Sequence, residues 1–198
     1  MAGMSELRAS SVRHPPLGRW IGLIAVGLAI AAVVGMVLWG AVFRQAAALA
    51  AGLVPGADDG RVASTASLAD AGVPAIGKLD PGLLSAMRAA ERAARSDGIA
   101  FEVTSGWRTP RYQQWLLDQA VTTYGSEERA LQWVAPPDRS HHVTGDAIDI
   151  APLAAQSWLI QRGATWGLCQ IYENEPWHFE LATEPGGVCP ALREDAAG

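Results

Sequence analysis

An uninterrupted apolar run near the N-terminus constrains this chain more than any other feature. Residues 20–43, WIGLIAVGLAIAAVVGMVLWGAVF, contain no charged side chain. At about 1.5 Å of rise per residue, a helix of this length spans a hydrocarbon core of roughly 30 Å. The run therefore predicts a transmembrane helix, and a water-soluble domain must then be built from the residues that follow it.

The charges that flank the run predict its orientation. Three arginines and one acidic residue precede it and a single arginine follows closely: Arg8, Arg13, Arg19, Glu6 and Arg44. The positive-inside rule then places residues 1–19 in the cytoplasm as a short tail and the chain after the single span outside the cell membrane. Two alternatives stay open. Small residues in AAALAAG (46–52) would suit cleavage of a secretory signal, and a terminal apolar run can also be a core helix.

Composition and charge limit the partners. At 49% apolar and 18% charged residues the chain is typical of a globular protein. Residues 45–198 carry 11 Lys and Arg against 19 Asp and Glu, a formal charge of −8. Such a surface argues against nucleic acid or anionic lipid as a partner. We therefore expect membrane contact through the N-terminal helix alone. A monomer is expected as well.

The two cysteines, Cys169 and Cys189, indicate a disulfide. They do not form a CxxC pair, which argues against a thiolate zinc site. Outside the cytoplasm an even pair is favoured to be joined, with two free thiols as the alternative. A bridge would close a loop that contains residues 175–178.

Helix and strand signals predict one domain after a linker. Residues 44–77 are rich in Ala, Gly, Ser and Asp without a sustained period, which is typical of a linker. Residues 78–190 follow as the folded domain, and residues 191–198 as a tail. Capping signals at Asp80-Pro81 and Thr109-Pro110 predict two helices that end at Gly98 and Gly125. Further helices are predicted at 126–135 and 153–162, and strands at 99–103, 146–150, 169–173 and 177–181. The pattern predicts an α+β fold in which helices flank a small, mostly antiparallel sheet.

Strand alternation brings an aspartate and a histidine onto polar faces. In DAIDI, Ile148 and Ile150 share one face, which leaves Asp149 on the other. In WHFEL, the apolar residues at 177, 179 and 181 alternate with His178. Asp149 and His178 therefore emerge from the polar faces of two neighbouring predicted strands.

A second histidine and a glutamate can join this pair. Thr144-Gly145 supplies a turn that can fold His142 back towards Asp149. Two neutral imidazoles and one carboxylate form a three-ligand zinc set with an open position for water. Pro176 holds Glu175 in an extended conformation at the strand entrance, within reach of such a water as a general base. The alternative is that these are ordinary surface or packed residues.

Three blocks carry a resemblance to a known family. SGWRTPRYQ (105–113), SHHVTGDAID (140–149) and EPWH (175–178) resemble the signature blocks of VanY-type zinc D-alanyl-D-alanine carboxypeptidases. That family is similar to the dipeptidase VanX and to the Hedgehog-like metallopeptidase fold. The pattern S-x-H-x-x-G-x-A-x-D is matched at Ser140, His142, Gly145, Ala147 and Asp149. The E-x-W-H block is matched in full, and the blocks stand in the family's order.

The resemblance implies a role for each matched residue. His142, Asp149 and His178 would be the zinc ligands, whereas His141 falls on a variable position and is expected at the rim of the cleft. Glu175 would be the general base. Arg108 would act in catalysis and substrate binding, on the carbonyl or terminal carboxylate of the substrate.

Two further matches and one departure concern the substrate. Ser140 and Gln113 match positions that help to hold substrate in relatives, with local capping or packing as the alternative. Trp107 stands where tyrosine is commoner, which keeps an aromatic ring but removes a hydroxyl.

The resemblance thus implies a membrane-anchored zinc peptidase outside the cytoplasm. Its substrate would be peptidoglycan stem peptides ending in D-Ala-D-Ala, with zinc-bound water as the nucleophile. A peptidoglycan endopeptidase of the same fold is one alternative. A non-catalytic cell-wall-binding module that keeps zinc for structure is another, although such a module could dispense with Glu175 and Arg108.

Overall fold

A four-stranded antiparallel sheet organises the domain in a computed structural model that describes residues 35–40, 42–43 and 54–197. The strands are β1 (Glu102–Ser105), β2 (Ala147–Ala151), β3 (Leu168–Gln170) and β4 (His178–Leu181). Their order in the sheet is β1-β2-β4-β3, and every neighbouring pair is antiparallel. This confirms the predicted α+β class and the small antiparallel sheet.

Six α-helices among the described residues 54–197 surround the sheet. They are α1 (Pro74–Gly77), α2 (Pro81–Ser96), α3 (Pro110–Tyr124), α4 (Glu127–Leu131), α5 (His141–Thr144) and α6 (Leu153–Arg162). Two 3-10 turns, Ala57–Asp59 and Gly163–Trp166, complete this part of the chain. Residues 35–40 and 42–43, which belong to a separate unit, are helical.

The predicted helix starts and ends are confirmed for the two long helices. The carboxylate of Asp80 accepts a hydrogen bond from the N–H of Leu83, and the hydroxyl of Thr109 accepts one from the N–H of Tyr112. Each cap satisfies a backbone donor that has no partner within its own helix. Gly125 ends α3 in the left-handed conformation, at a φ of 81°.

Three elements differ from their predicted bounds. The strand predicted at 169–173 is shorter, at Leu168–Gln170. The other two differ because backbone N–H groups at the end of a helix still donate to carbonyls of that helix. The strand predicted at 99–103 lies at Glu102–Ser105, since the N–H of Ile99 still donates to Ala94 at the end of α2. The helix predicted at 126–135 ends at Leu131. The N–H groups at positions 133 and 134 both turn back to the carbonyl of Ala130.

The core lies between the sheet and helices α2 and α6. Ile148, Ile150 and Phe179 point from β2 and β4 into this core and are fully buried. They pack with Met87 of α2 and Leu159 of α6. Burial of these side chains fixes which face of β2 and β4 is left for polar residues.

Part of the stretch predicted as a linker is packed into the domain. Ala66 and Val103 exchange both of their backbone hydrogen bonds, at 2.9 Å each. Leu68 and Ile76 are fully buried in the core. Packing therefore begins well before residue 78. The sequence does not predict this packing, because the residues that make the contacts are single apolar residues without helix or strand spacing.

Of the run predicted to span a membrane, residues 20–43, the structure describes only 35–40 and 42–43, and the predicted tail at 1–19 lies outside the described residues. Within the part of the chain that the structure describes, none of the helices combines the length and apolarity needed to cross a membrane. The transmembrane helix and its alternatives therefore stay predictions.

The predicted disulfide is confirmed, because Cys169 of β3 and Cys189 are bonded to each other. Cys169 is buried, and its β3 neighbour Leu168 packs in the core. The bridge closes a loop with a sequence separation of 20, which holds residues 175–178 and all of β4.

Removing this bridge should lower stability. The double variant Cys169→Ala, Cys189→Ala is expected to lose about 2–4 kcal/mol of unfolding free energy, because its unfolded chain regains the freedom of the closed loop. Urea denaturation of the variant and the wild type measures the difference. As a control, thiol titration of the unfolded, unreduced wild type should find no free thiol. Equal stability of the two proteins would contradict the expectation.

Candidate functional site

Three buried polar side chains converge at one end of strands β2 and β4. Asp149 of β2 lies directly opposite His178 of β4, and His142 approaches from α5. The Oδ1 atom of Asp149 is 3.4 Å from Nε2 of His142 and 3.4 Å from Nδ1 of His178. One ligand atom from each residue lies within 4.8 Å of the others. The structure thus brings together the three residues that the sequence proposed as ligands.

A glycine turn positions His142. The SHHVTG segment contains a one-turn helix, His141–Thr144. Gly145 ends it at a φ of +87°, and a Cβ there would lie 2.5 Å from the carbonyl oxygen of Lys78. Only glycine meets both the backbone angle and the close approach. This turn sets α5 beside the start of β2, as the Thr144-Gly145 signal predicts.

Hydrogen bonds fix which nitrogen of each histidine faces Asp149. Nδ1 of His142 is 2.8 Å from the carbonyl oxygen of Gly106, so it carries the proton and leaves the Nε2 lone pair for the cluster. Nε2 of His178 is 2.9 Å from Oε1 of Glu180, which leaves Nδ1 for the cluster. These tautomers follow from the hydrogen-bond network.

The cluster contains two buried polar atoms without a hydrogen-bond partner among the described residues. They are Oδ1 of Asp149 and Nδ1 of His178. Their separation of 3.4 Å exceeds the usual length of an N–H···O bond. Leaving such atoms unpaired in the interior costs free energy, and a cation between them would remove that cost. Two imidazoles and a carboxylate, each held by a second partner, fit a zinc site with an open position.

The pKa values describe the cluster without a cation. Burial, with the nearby charge of Arg108, lowers the pKa of His142 to about 4, so this ring is neutral. Burial opposes charge on His178 as well, but the carboxylates of Asp149 and Glu180 outweigh it and raise the pKa of His178 to about 9. A cation at Nδ1 would replace the proton that His178 carries there.

Glu175 lines the same cavity beside His178. Its Oε2 atom is 3.8 Å from Nδ1 of His178, and the side chain is buried. Burial raises the pKa of Glu175 to about 7. A carboxyl group with this pKa can accept and return a proton at neutral pH.

Arg108 enters the cavity from the start of α3 and is largely buried, with 14% of its side chain exposed. Its guanidinium donates to Ser105 (2.9 Å), Gln113 (3.0 Å) and Asp149 (3.0 Å). These bonds use three of its five N–H groups, which leaves two for another acceptor. Arg108 is therefore fixed in position and keeps two N–H groups that can donate to a ligand.

Gln113 and Ser140 differ in what they offer to a ligand. The amide oxygen of Gln113 accepts from Arg108, and its nitrogen donates to the carbonyl of Ala135 at 2.7 Å. Gln113 therefore holds Arg108, which is the packing alternative raised from the sequence. Ser140 lines the cavity, and its hydroxyl caps no backbone group of α5.

Sequence reasoning missed Glu180 as part of the site. This buried carboxylate receives Nε2–H of His178 on one oxygen, and its other oxygen is 2.7 Å from Nδ1 of His141. His141 lies at the rim, as expected, and fixes Glu180, which in turn orients His178. The period-two pattern in HFEL contains the signal, because positions 178 and 180 must share a face.

The cavity itself is small and has aromatic residues in its walls. It encloses about 120 Å³ and is lined by the cluster together with Trp133, Tyr172, Trp177 and Ala196, among others. Trp107 does not line it, because its ring packs beneath Nζ of Lys78, 3.8 Å from the ring centre. The aromatic ring expected from the SGWR block is thus supplied by other residues.

Comparison with known proteins identifies relatives of this domain. Residues 77–167 match the VanY family, described as D-alanyl-D-alanine carboxypeptidase. A D-alanyl-D-alanine carboxypeptidase of Enterococcus faecalis is 32% identical over 112 residues, which is 44% of this chain and 42% of the relative. The chain thus spans less than half the length of this curated relative.

Two solved structures share the fold. One is a point mutant of the vancomycin resistance D,D-pentapeptidase VanY from a VanB-type cassette, in complex with Zn(II). It is 26% identical with a TM-score of 0.51, over 61% of this chain and 79% of that one. The other is VanYB in complex with D-alanine-D-alanine, at 24% identity and a TM-score of 0.50, over 64% of this chain and 83% of that one.

Proposed function

We propose that the protein is a zinc-dependent D-alanyl-D-alanine carboxypeptidase. The premise is that the folded part of this chain is a VanY-type domain. Its substrates would be peptidoglycan stem peptides that end in D-Ala-D-Ala. The reaction adds water across the last peptide bond and releases free D-alanine.

One observation carries this proposal more than any other. Oδ1 of Asp149 and Nδ1 of His178 are buried together without a hydrogen-bond partner among the described residues, and Nε2 of His142 points at the same spot. The solved VanY structure with Zn(II) supports zinc as the occupant. Zinc held by His142, Asp149 and His178 would supply a Lewis acid beside the substrate carbonyl.

Glu175 provides the proton transfers. With a pKa near 7, it can take a proton from the water that attacks the scissile carbonyl. It can then deliver that proton to the nitrogen of the departing D-alanine as the peptide bond breaks. Its buried position keeps bulk water from competing for the proton.

Arg108 stabilises the negative charge that develops on the carbonyl oxygen or on the substrate carboxylate. Its bonds to Ser105 and Gln113 fix the guanidinium before substrate arrives, so little reorganisation is needed. The hydroxyl of Ser140, at the cavity wall, is a second candidate contact with substrate.

The proposal is tested with defined stem peptides. The purified full-length protein with zinc is incubated with a pentapeptide and with a tetrapeptide stem, and the products are identified by mass. We expect the pentapeptide to lose one D-alanine and the tetrapeptide to stay intact, with a chelator abolishing the reaction. Cleavage within cross-linked wall peptides instead would indicate an endopeptidase. Zinc binding without any cleavage would favour a binding module.

We also propose that the domain acts outside the cytoplasm, anchored by residues 20–43 or released after signal cleavage. The support is the arginine bias before the apolar run and the disulfide after it.

A reporter fusion tests the proposed location. An enzyme that is active only outside the cytoplasm, fused after Gly198, should give signal in intact cells. The same fusion to a reporter that works only in the cytoplasm serves as the control and should stay silent. The reverse pattern would overturn the proposed location.

A further inference from the structure

Two segments, here called the walls, line the active-site cavity from separate parts of the chain. One wall is the chain between α4 and α5, which contributes Trp133 and Ser140. The other is the loop before β4, which contributes Tyr172 and Glu175. Residues 191–198 are predicted to be a tail, but residues 193–197, here called the strap, contact both walls.

The strap is attached to the loop before β4 by backbone pairing. The N–H of Arg193 donates to the carbonyl of Ile171 at 2.9 Å, and the N–H of Glu173 donates to the carbonyl of Arg193 at 2.8 Å. The disulfide at Cys189 fixes the chain just before this pairing. The start of the strap is therefore held by three independent links.

The strap then reaches the other wall. The N–H of Ala196 donates to the carbonyl of Gln132 at 3.4 Å, and Nη1 of Arg139 donates to the carbonyl of Ala197 at 2.9 Å. The side chain of Asn174 donates to the same Gln132 carbonyl at 2.8 Å. The two walls are thus joined at the carbonyl of Gln132, directly by Asn174 and through the strap by Ala196.

Ala196 is the strap residue that lines the cavity. Its neighbour Asp195 is engaged locally, since Oδ1 accepts the N–H of Ala197 at 2.8 Å. The strap also carries charge near the cavity, since Asp195 acts on Glu175 and Arg193 acts on Tyr172. The residue that it presents to the cavity is small and apolar, so Ala196 itself can act on a substrate only through its size.

If the joined walls close the cavity beside Ala196, that side can receive only the short part of the substrate beyond the scissile bond. On the acyl side the stem peptide continues for several residues, so that side needs an open exit. On the amine side a carboxypeptidase substrate has one residue, and the cavity is small, at about 120 Å³. We propose that the strap, through Ala196, sets the length of chain accepted beyond the scissile bond. This inference rests on the proposed function.

Removing the strap tests this role. Wild type and a chain shortened after Pro190, which keeps Cys189, are compared on a pentapeptide stem and on the same stem extended by one glycine. We expect wild type to prefer the unextended stem by about 10–200-fold in kcat/KM, the discrimination that a tight pocket gives. The shortened chain should lose at least about tenfold of that preference. Its zinc content should stay at that of wild type, since the strap supplies no ligand.

A matched pair of substitutions serves if the shortened chain does not fold. Ala196→Phe places a ring into the closed end, so kcat/KM for the unextended stem should fall by about tenfold or more, mainly through KM. Ala191→Phe adds the same ring at an exposed alanine that does not line the cavity, and should leave kcat/KM unchanged.

The outcomes separate the two proposals. If wild type hydrolyses neither peptide, the proposed function fails. If wild type is active, the strap proposal alone is overturned by either of two results. One is an unchanged preference after shortening, and the other is equal kcat/KM for the phenylalanine variants at positions 196 and 191.

Discussion

Replacing Glu175 by glutamine is expected to lower kcat by about 10²–10⁴-fold, the usual contribution of general acid–base catalysis. Glutamine keeps the size of the side chain but cannot accept the proton. Because the three proposed ligands are unchanged, zinc should stay at one equivalent per chain. Steady-state kinetics on the pentapeptide stem, with metal analysis of the same sample, measure both quantities.

Glu173→Gln is the matched control for this variant. It removes the same charge two positions away, on an exposed side chain that does not line the cavity. Its kcat should stay close to that of wild type. Undiminished turnover in the Glu175 variant would show that the base lies elsewhere, and equal losses in both variants would point to a general effect of charge.

Replacing His178 by alanine is expected to abolish activity together with metal binding. Only Asp149 and His142 would remain as ligands, and zinc sites that stay open for catalysis need three. Loss of a partner that only orients a ligand already costs about 10–100-fold in metal affinity, so loss of the ligand itself should cost more. Equilibrium dialysis against zinc, followed by peptidase assay at saturating metal, measures the effect.

His141→Ala is the corresponding control at a neighbouring histidine. It leaves the three ligand atoms in place, and His178 can still donate to Glu180. This variant should still bind one equivalent of zinc at saturating metal, with a loss of affinity no greater than the roughly 10–100-fold of an orienting partner. If it lost zinc as completely as the His178 variant, the assignment of ligands would be wrong. Full zinc binding by the His178 variant would lead to the same conclusion.

Strand alternation accounts for what the sequence could predict at the site. With Ile148, Ile150 and Phe179 required in the core, Asp149 and His178 had to share the opposite face of the sheet. The glycine at 145 indicated the turn that returns His142 to them. These are local rules of period and backbone angle, so one sequence is enough to apply them.

Contacts between distant segments explain what the sequence could not predict. Leu68 and Ile76 join the core from a stretch with no period, and the strap pairs with a loop twenty residues earlier in the chain. Arg108 could be proposed as functional from its block, but its bond to Asp149 joins residues 41 positions apart. Such pairings depend on how the elements pack, which the pattern of one segment does not encode.

The opposition of Asp149 and His178 has a consequence for the lifetime of the protein. The two residues face each other across β2 and β4, the central pair of strands in the sheet. An ion bound by both would therefore link these two strands and stabilise the native state, in addition to its role in the reaction. An ion that binds only the native state adds about 2.7 kcal/mol of stability at a hundredfold excess over its dissociation constant. Chains that have not acquired the ion would therefore unfold more often and meet proteases sooner. Proteolysis would then remove copies without the ion in preference to copies that hold it.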